Sequence, residues 1–274
     1  VHAASNATHA PTANQGARIQ VAARRPRSYN CEGAQSTKQG AVSVNATAET
    51  PETVRAQVIA WRRYLHQHPE LSFHERNTSQ FVADTLASFG GLEITRPTPT
   101  SVMGRLIGRA GRGPVLAIRA DMDALPIVEA NTHEFVSQAP GIMHACGHDG
   151  HTSMLLGAVK LLLEQRDKLC GEVRFLFQHA EELYPGGASQ MINAGVLEGV
   201  EMVIGAHLWL SLPVGQVGVK EGALMASLNT FRITIEGTGG HAAIPQQTVD
   251  PIVIAAQVVT NLQHVVARNV DPLR

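Results

Sequence analysis

Between His144 and His151, eight consecutive positions hold three histidines, a cysteine and an aspartate, in the run Met143-His144-Ala145-Cys146-Gly147-His148-Asp149-Gly150-His151. Soft thiolate and imidazole groups at this density suit a transition metal such as Zn²⁺ or Mn²⁺. Asp149, or a carboxylate from elsewhere, could add a harder oxygen ligand. Gly147 and Gly150 allow the backbone to bend between the ligands. An apolar run with helical spacing, Thr152 to Leu163, follows at once, so the cluster is expected on a loop that opens a helix. Taken singly, each of these residues could belong to a His-rich turn with a buried thiol. Taken together they point to a metal site, and the rest of the chain must supply its missing ligands.

Those ligands fall where an α/β frame would place them. Val115–Arg119 reads as a buried strand and runs into Arg119-Ala120-Asp121-Met122-Asp123-Ala124-Leu125-Pro126. Acids just past a strand sit at the carboxyl end of a sheet, where α/β enzymes keep functional groups. Asp121 is the better candidate for a carboxylate that orients a metal-bound histidine, and Asp123 fits an ordinary turn. A second strand, Glu172–Gln178, delivers His179-Ala180-Glu181-Glu182. Adjacent carboxylates are often only solvated charge. Here one can bind metal while its neighbour serves as general base. A third strand, Val200–Ala206, ends in His207-Leu208-Trp209. By residue type, Cys146, His148, Glu182 and His207 supply a thiolate, two imidazoles and a carboxylate, with Glu181 placed to take a proton from water. That is the wiring of a metal-dependent amide or ester hydrolase.

Elsewhere the elements alternate. A helix is expected from Thr50-Pro51-Glu52 through Val54, Val58, Trp61 and Leu65 to Gln67, with Thr50 as N-cap and Pro51 at the first helical position. A second spans Glu75–Phe89 and stops at Gly90-Gly91. Strand-like runs follow at Leu92–Thr95 and Val102–Ile107, and a helix after Gly186-Gly187 runs through Met191 and Ile192. From Gly218 the texture changes. Ser227–Ile235 alternates as a half-exposed strand should, Gly237, Gly239 and Gly240 precede His241, and an Ala/Val-rich helix covers about Asp250 to Arg268. The expected division is 1–50 as an extension, 51–217 as the catalytic metal-binding domain, and 218–274 as the first part of a smaller α+β domain. The extension is rich in Ala, Ser, Thr, Asn and Gln, with Arg18, Arg24, Arg25 and Arg27, and shows no apolar periodicity. It reads as disordered, with a transit-peptide character that would fit an organelle as the alternative to the cytoplasm.

The motifs resemble the metallo-amidohydrolase family of hippurate hydrolases, N-acyl-amino-acid amidohydrolases and auxin-conjugate hydrolases, within the aminoacylase and zinc carboxypeptidase-like superfamily. The resemblance rests on Trp61–Leu71, Arg119–Pro126, Met143–His151, Phe177–Glu182, Gly205–Leu208 and Gly239-Gly240-His241-Ala242-Ala243-Ile244-Pro245. It implies a mixed, largely parallel sheet flanked by helices, and two divalent ions. Mn²⁺ or Zn²⁺ would be the first choice, with Co²⁺ or Ni²⁺ as alternatives. It further implies Cys146 as bridging ligand, His148, Glu182 and His207 as terminal ligands, Glu181 as general base and acid, and Asp121 behind the metals. His241 would reach a neighbouring subunit's site to hold substrate, and the smaller domain would make a homodimer. The substrate implied is a small N-acyl amino acid. Dipeptidase or carboxypeptidase activity, or an inactive metal-binding fragment, are the alternatives. Relatives in this family resume the catalytic domain after the smaller one and gain a fifth, histidine ligand there; this sequence stops before that return, so one ligand and part of the sheet are expected to be absent from it. His179 stands where many relatives carry proline, and Gln246 where many carry histidine. His179 is expected to be a neighbour of the site rather than a ligand.

Composition agrees by exclusion. With 44% hydrophobic and 16% charged residues and a formal net charge of -1, the chain has no basic field to hold a nucleic acid or an anionic membrane. No run is apolar for long enough to span a bilayer. Three cysteines are too sparse for a disulfide scaffold, and Cys31 and Cys170 form no CxxC motif with Cys146.

Overall fold

The computed structural model describes residues 51–219, 221, 222, 224 and 231–270. The 1–50 extension, the Thr50 cap and residues 227–230 of the alternating stretch lie outside them. The described chain divides into two compact units, meeting between Ser211 and Leu212.

The first unit is a five-stranded sheet in the order β1-β2-β4-β3-β5, built from β1 (Glu93–Thr95), β2 (Val102–Ile107), β3 (Val115–Asp121), β4 (Glu172–Gln178) and β5 (Met202–Gly205). β1–β2 and β2–β4 pair antiparallel, whereas β3 pairs parallel with both β4 and β5. The expected parallel character is therefore confined to β4, β3 and β5, the strands that feed the site. Parallel neighbours need a crossover, and α3 (His148–Glu164) makes the one from β3 to β4.

Alternation along β4 decides which face is which. Val173, Phe175 and Phe177 join Val102 and Leu106 of β2 and Leu155, Leu156 and Val159 of α3 in the main core, together with Val82 and Leu86 of α2 (Arg76–Phe89). Leu176 points the other way, with Ala117, toward Met191 of α4 (Gly187–Asn193) and Val196. Burying each such Leu or Phe contributes roughly 1.5–3 kcal/mol, so the sheet is fixed from both sides. α1 (Pro51–Gln67) lies against α3, and Gly157 lets them approach closely: a Cβ there would stand 2.6 Å from Val58 Cγ2.

Two boundaries differ from expectation. α3 begins at His148, not Thr152, because Gly147 takes a left-handed φ of 88° and its carbonyl accepts from Gly150 and His151 N–H. The His-rich cluster thus forms the first helical turn itself. α2 begins at Arg76, and Glu75, though adjacent, does not cap it with its side chain.

The second unit contains a 3₁₀ turn, Pro245–Gln247, and α5 (Pro251–Asn269), whose start is set by Asp250 accepting from Ile252 N–H and by Pro251. Residues 231–235, expected as a strand, carry none. A strand exists through its ladder, and the described residues here make one antiparallel bridge, Thr238–Val249. Among the described residues, no helix is long and apolar enough to cross a membrane.

Candidate metal centre

Register brings the site together. Asp121 pairs with Gln178 across β3–β4, and Arg119 with Gly205 across β3–β5. All three parallel strands therefore end at one edge, and α3 starts beside it. His148 Nε2 sits at the middle of this edge. It lies 3.6 Å from Asp121 Oδ2, 3.7 Å from Glu182 Oε1 and 3.9 Å from Glu181 Oε2. Cys146 Sγ is 3.4 Å from His207 Nε2, and the donor atoms of Cys146, His148 and His207 lie within 4.8 Å of one another.

The protons on these imidazoles follow from their partners. His148 Nδ1–H donates to Asp123 Oδ1 at 3.2 Å, which leaves Nε2 with a free lone pair. His207 Nδ1–H donates to the Leu208 carbonyl at 2.6 Å, turning its Nε2 toward Cys146. His151 accepts from Leu208 N–H at 2.8 Å through Nε2, so its Nδ1 carries the proton and donates to Asp121 at 2.6 Å. The chain Asp121–His151–Leu208 holds the segment that presents His207.

Charge in the pocket is strongly conditioned. Burial works against ionising Asp123, yet hydrogen bonds from His148, Ser72 and the Glu182 backbone hold its carboxyl well below the usual range. Burial likewise opposes the Asp121 anion, and His151 and Arg119 outweigh it. Burial alone would lower His148, but Asp123 and Asp121 reverse this and leave it raised. Glu181 is pushed up by burial and by its neighbour Glu182. Burial, followed by the Glu182 hydrogen bond and charge, pushes the Cys146 thiol up to about 12. A thiolate is therefore disfavoured here unless a cation joins it.

The site's own chemistry fits a divalent ion. His148 Nε2 is fully buried and has no hydrogen-bond partner, a costly arrangement for a bare polar atom. Thiol, imidazole and carboxylate donors surround it in a combination that suits Zn²⁺, Mn²⁺ or their neighbours. Glu181 and Glu182 are partly exposed, and Cys146 is half-buried, so one side stays open to a ligand.

The structure gathers Cys146, His148, Glu181, Glu182, His207 and Asp121. His241 lies in the second unit, where its Nδ1 accepts from Ala243 N–H. His179 has both ring nitrogens engaged, by Thr98 Oγ1 at 3.2 Å and Gln190 Oε1 at 3.1 Å, as befits a neighbour. One preference needs correcting. Asp123, not Asp121, contacts His148 Nδ1, and Asp121 instead orients His151. The spacing held the signal, because Asp121 and Asp123 lie two residues apart and so face the same side of an extended chain. Met122 between them points into the core. His151 was visible only as part of the cluster; its link to Leu208 depends on tertiary packing.

Mixed soft and hard donors at the carboxyl edge of a helix-flanked mixed sheet make this an α/β domain with a candidate metal centre. Residues 117–272 match the model of Peptidase family M20/M25/M40, and the chain belongs to that family. It is 63% identical over 222 residues to an N-acyl-L-amino acid amidohydrolase of Geobacillus stearothermophilus, covering 81% of this chain and 60% of the relative. It is 47% identical over 218 residues to an IAA-amino acid hydrolase of Arabidopsis thaliana, covering 79% of this chain and 49% of that protein. Among solved structures it resembles a dinuclear metal-binding peptidase of the M20 family from Bacillus subtilis. That similarity has a TM-score of 0.60 and 46% identity, over 62% of this chain and 48% of the other. The chain thus spans about half to three-fifths of the length of these relatives.

Proposed function

We propose that this chain carries the metal centre of an amidohydrolase that releases amino acids from N-acyl amino acids such as hippurate-like or auxin conjugates. The observation that carries this reading is the convergence of Cys146, His148, Glu182 and His207 around a buried imidazole nitrogen without a partner. It is supported by 63% identity to an N-acyl-L-amino acid amidohydrolase. Cys146, His148, Glu182 and His207 would hold two divalent ions, Mn²⁺ or Zn²⁺ first, and bound there these supply Lewis acidity toward a carbonyl and toward water.

The protein's own groups do the rest. Glu181, raised by burial and by Glu182, takes a proton from the attacking water and returns it to the leaving amine. Asp123 fixes the His148 tautomer, and Asp121 acts through His151 to steady His207. His241 would hold the substrate carbonyl or carboxylate across a homodimer.

The test is amine release from N-acetyl- and N-benzoyl-amino acids compared with free dipeptides, using Mn²⁺- or Zn²⁺-loaded protein. A preference for dipeptides would replace this reading with a dipeptidase. Glu181→Gln is expected to cost on the order of 10²–10⁴-fold in kcat with metal content unchanged. Loss of metal in that variant would sink the role assigned to Glu181.

A further inference from the structure

We infer that Glu75 is a positioning residue for the Glu181–Glu182 pair, its carboxylate fixing the backbone turn at Ala180 from which both side chains are presented. This rests on the role proposed above for Glu181. Glu75 is wholly buried, yet it does not cap the helix it precedes. Its Oε1 accepts from Phe73 N–H at 3.0 Å and from Ala180 N–H at 2.7 Å, across 105 positions of sequence in the second case. Thr100 Oγ1–H donates to its Oε2 at 3.0 Å.

Phe73 and Ala180 share another property. Among the described residues, they are the non-glycine residues with positive φ, 67° and 45°. L-residues hold that conformation only where the surroundings impose it, and at both positions a single carboxylate oxygen does so.

The rest of the turn is equally constrained. The Ala180 carbonyl accepts from Gly187 N–H at 2.8 Å. A side chain at 187 is excluded, since its Cβ would lie 1.9 Å from the His179 carbonyl oxygen. Glu182 N–H donates to Asp123 Oδ2 at 2.9 Å. The main chain is therefore tied down just before Glu181 by Glu75 and just after it by Asp123. Released at Ala180, the backbone would relax from its left-handed angle and swing both carboxylates away from His148.

What this role demands is an acceptor oxygen with the reach of glutamate, not a charge. Burial already raises the Glu75 pKa, so a neutral acceptor is tolerated there. Glu75→Gln keeps an oxygen for both N–H groups, and its NH₂ can donate to the Thr100 hydroxyl. Glu75→Asp keeps the charge but withdraws the oxygens by about 1.5 Å, one C–C bond.

The experiment measures kcat, KM and metal content for wild type, Glu75→Gln and Glu75→Asp in the metal-loaded protein, with amide hydrogen exchange over Gln178–Glu182 in parallel. The inference expects Glu75→Gln to stay within a few-fold of wild type. It expects Glu75→Asp to lose on the order of 100-fold in kcat, the cost of an ångström-scale misplacement, at unchanged KM, with weaker metal affinity through the displaced Glu182 and faster exchange at Ala180. Wild-type kcat in Glu75→Asp at equal metal content would overturn it. So would equal damage in both variants, or damage confined to Glu75→Gln. If the wild type binds metal but hydrolyses no N-acyl amino acid, the proposed activity fails on its own. The exchange comparison then decides whether Glu75 holds the turn, and equal protection in all three proteins would refute it.

Discussion

Asp123 does three jobs with one carboxylate. It orients His148 at 3.2 Å, takes the Ser72 hydroxyl at 2.6 Å and holds Glu182 N–H at 2.9 Å. Outer partners of metal-binding histidines typically contribute 10–100-fold in affinity. Asp123→Ala should weaken metal binding by about that factor, read by competition with a chromogenic chelator, and the parallel loss at Glu182 places it at the upper end. Glu75 offers a pH signature. Its folded pKa lies above the ordinary 4.5 because of burial, so the unfolded chain releases this proton first. The Glu75 contribution is most favourable below that ordinary value. It declines as pH rises through the folded pKa, then stays level. Glu75→Gln has no proton to lose. Its melting temperature relative to wild type should therefore climb in calorimetry as pH rises above the ordinary 4.5, and a flat difference would contradict the upward shift.

At the scale of elements, the contact between α1 and α3 lets two magnitudes compete. Replacing a mid-helix glycine by alanine gains roughly 0.5–1 kcal/mol, whereas an extra methyl in a packed interface costs roughly 1–3 kcal/mol. At Gly157 the new Cβ would meet Val58 Cγ2 at 2.6 Å and Val54 Cγ1 at 3.3 Å, and valine cannot easily turn away. The clash wins: Gly157→Ala should destabilise by about 1–2 kcal/mol in urea titrations. Elements of this kind were largely legible in the sequence. β2 and β4 follow from their apolar runs, α1 from its periodicity, and α5 from its Ala/Val-rich run. The start of α3 was not, because the left-handed angle at Gly147 has no signature that separates it from a flexible loop. The 231–235 strand failed for the opposite reason. Its alternation is real, but a ladder needs a neighbour that no local pattern supplies.

For the whole molecule, the candidate ligands were legible one by one because each stands at the end of a recognisable element. Their outer partners were not, since Asp123–His148, Asp121–His151 and Glu75–Ala180 are set by strand register and packing. The site draws on the ends of β3, β4 and β5 and on the start of α3, and the unfolded chain does not assemble it. Metal binding should therefore appear as folding stability. At a free metal concentration of 100 Kd the gain is about 2.7 kcal/mol, so stripping the ion with EDTA should lower the melting temperature clearly. An unchanged melting curve would mean that the donors do not bind as a set. The weak point of this assembly is β5. It stands at one end of the strand order, among the described residues it pairs with β3 alone, and all four of its residues are exposed. Edge segments with little buried surface open first, and His207 follows two residues beyond this one. Ion residence time then becomes a property of an edge strand's fraying. Metal loss to excess chelator should keep pace with amide exchange in Met202–Gly205, and the slow global unfolding of the core should leave no mark on it.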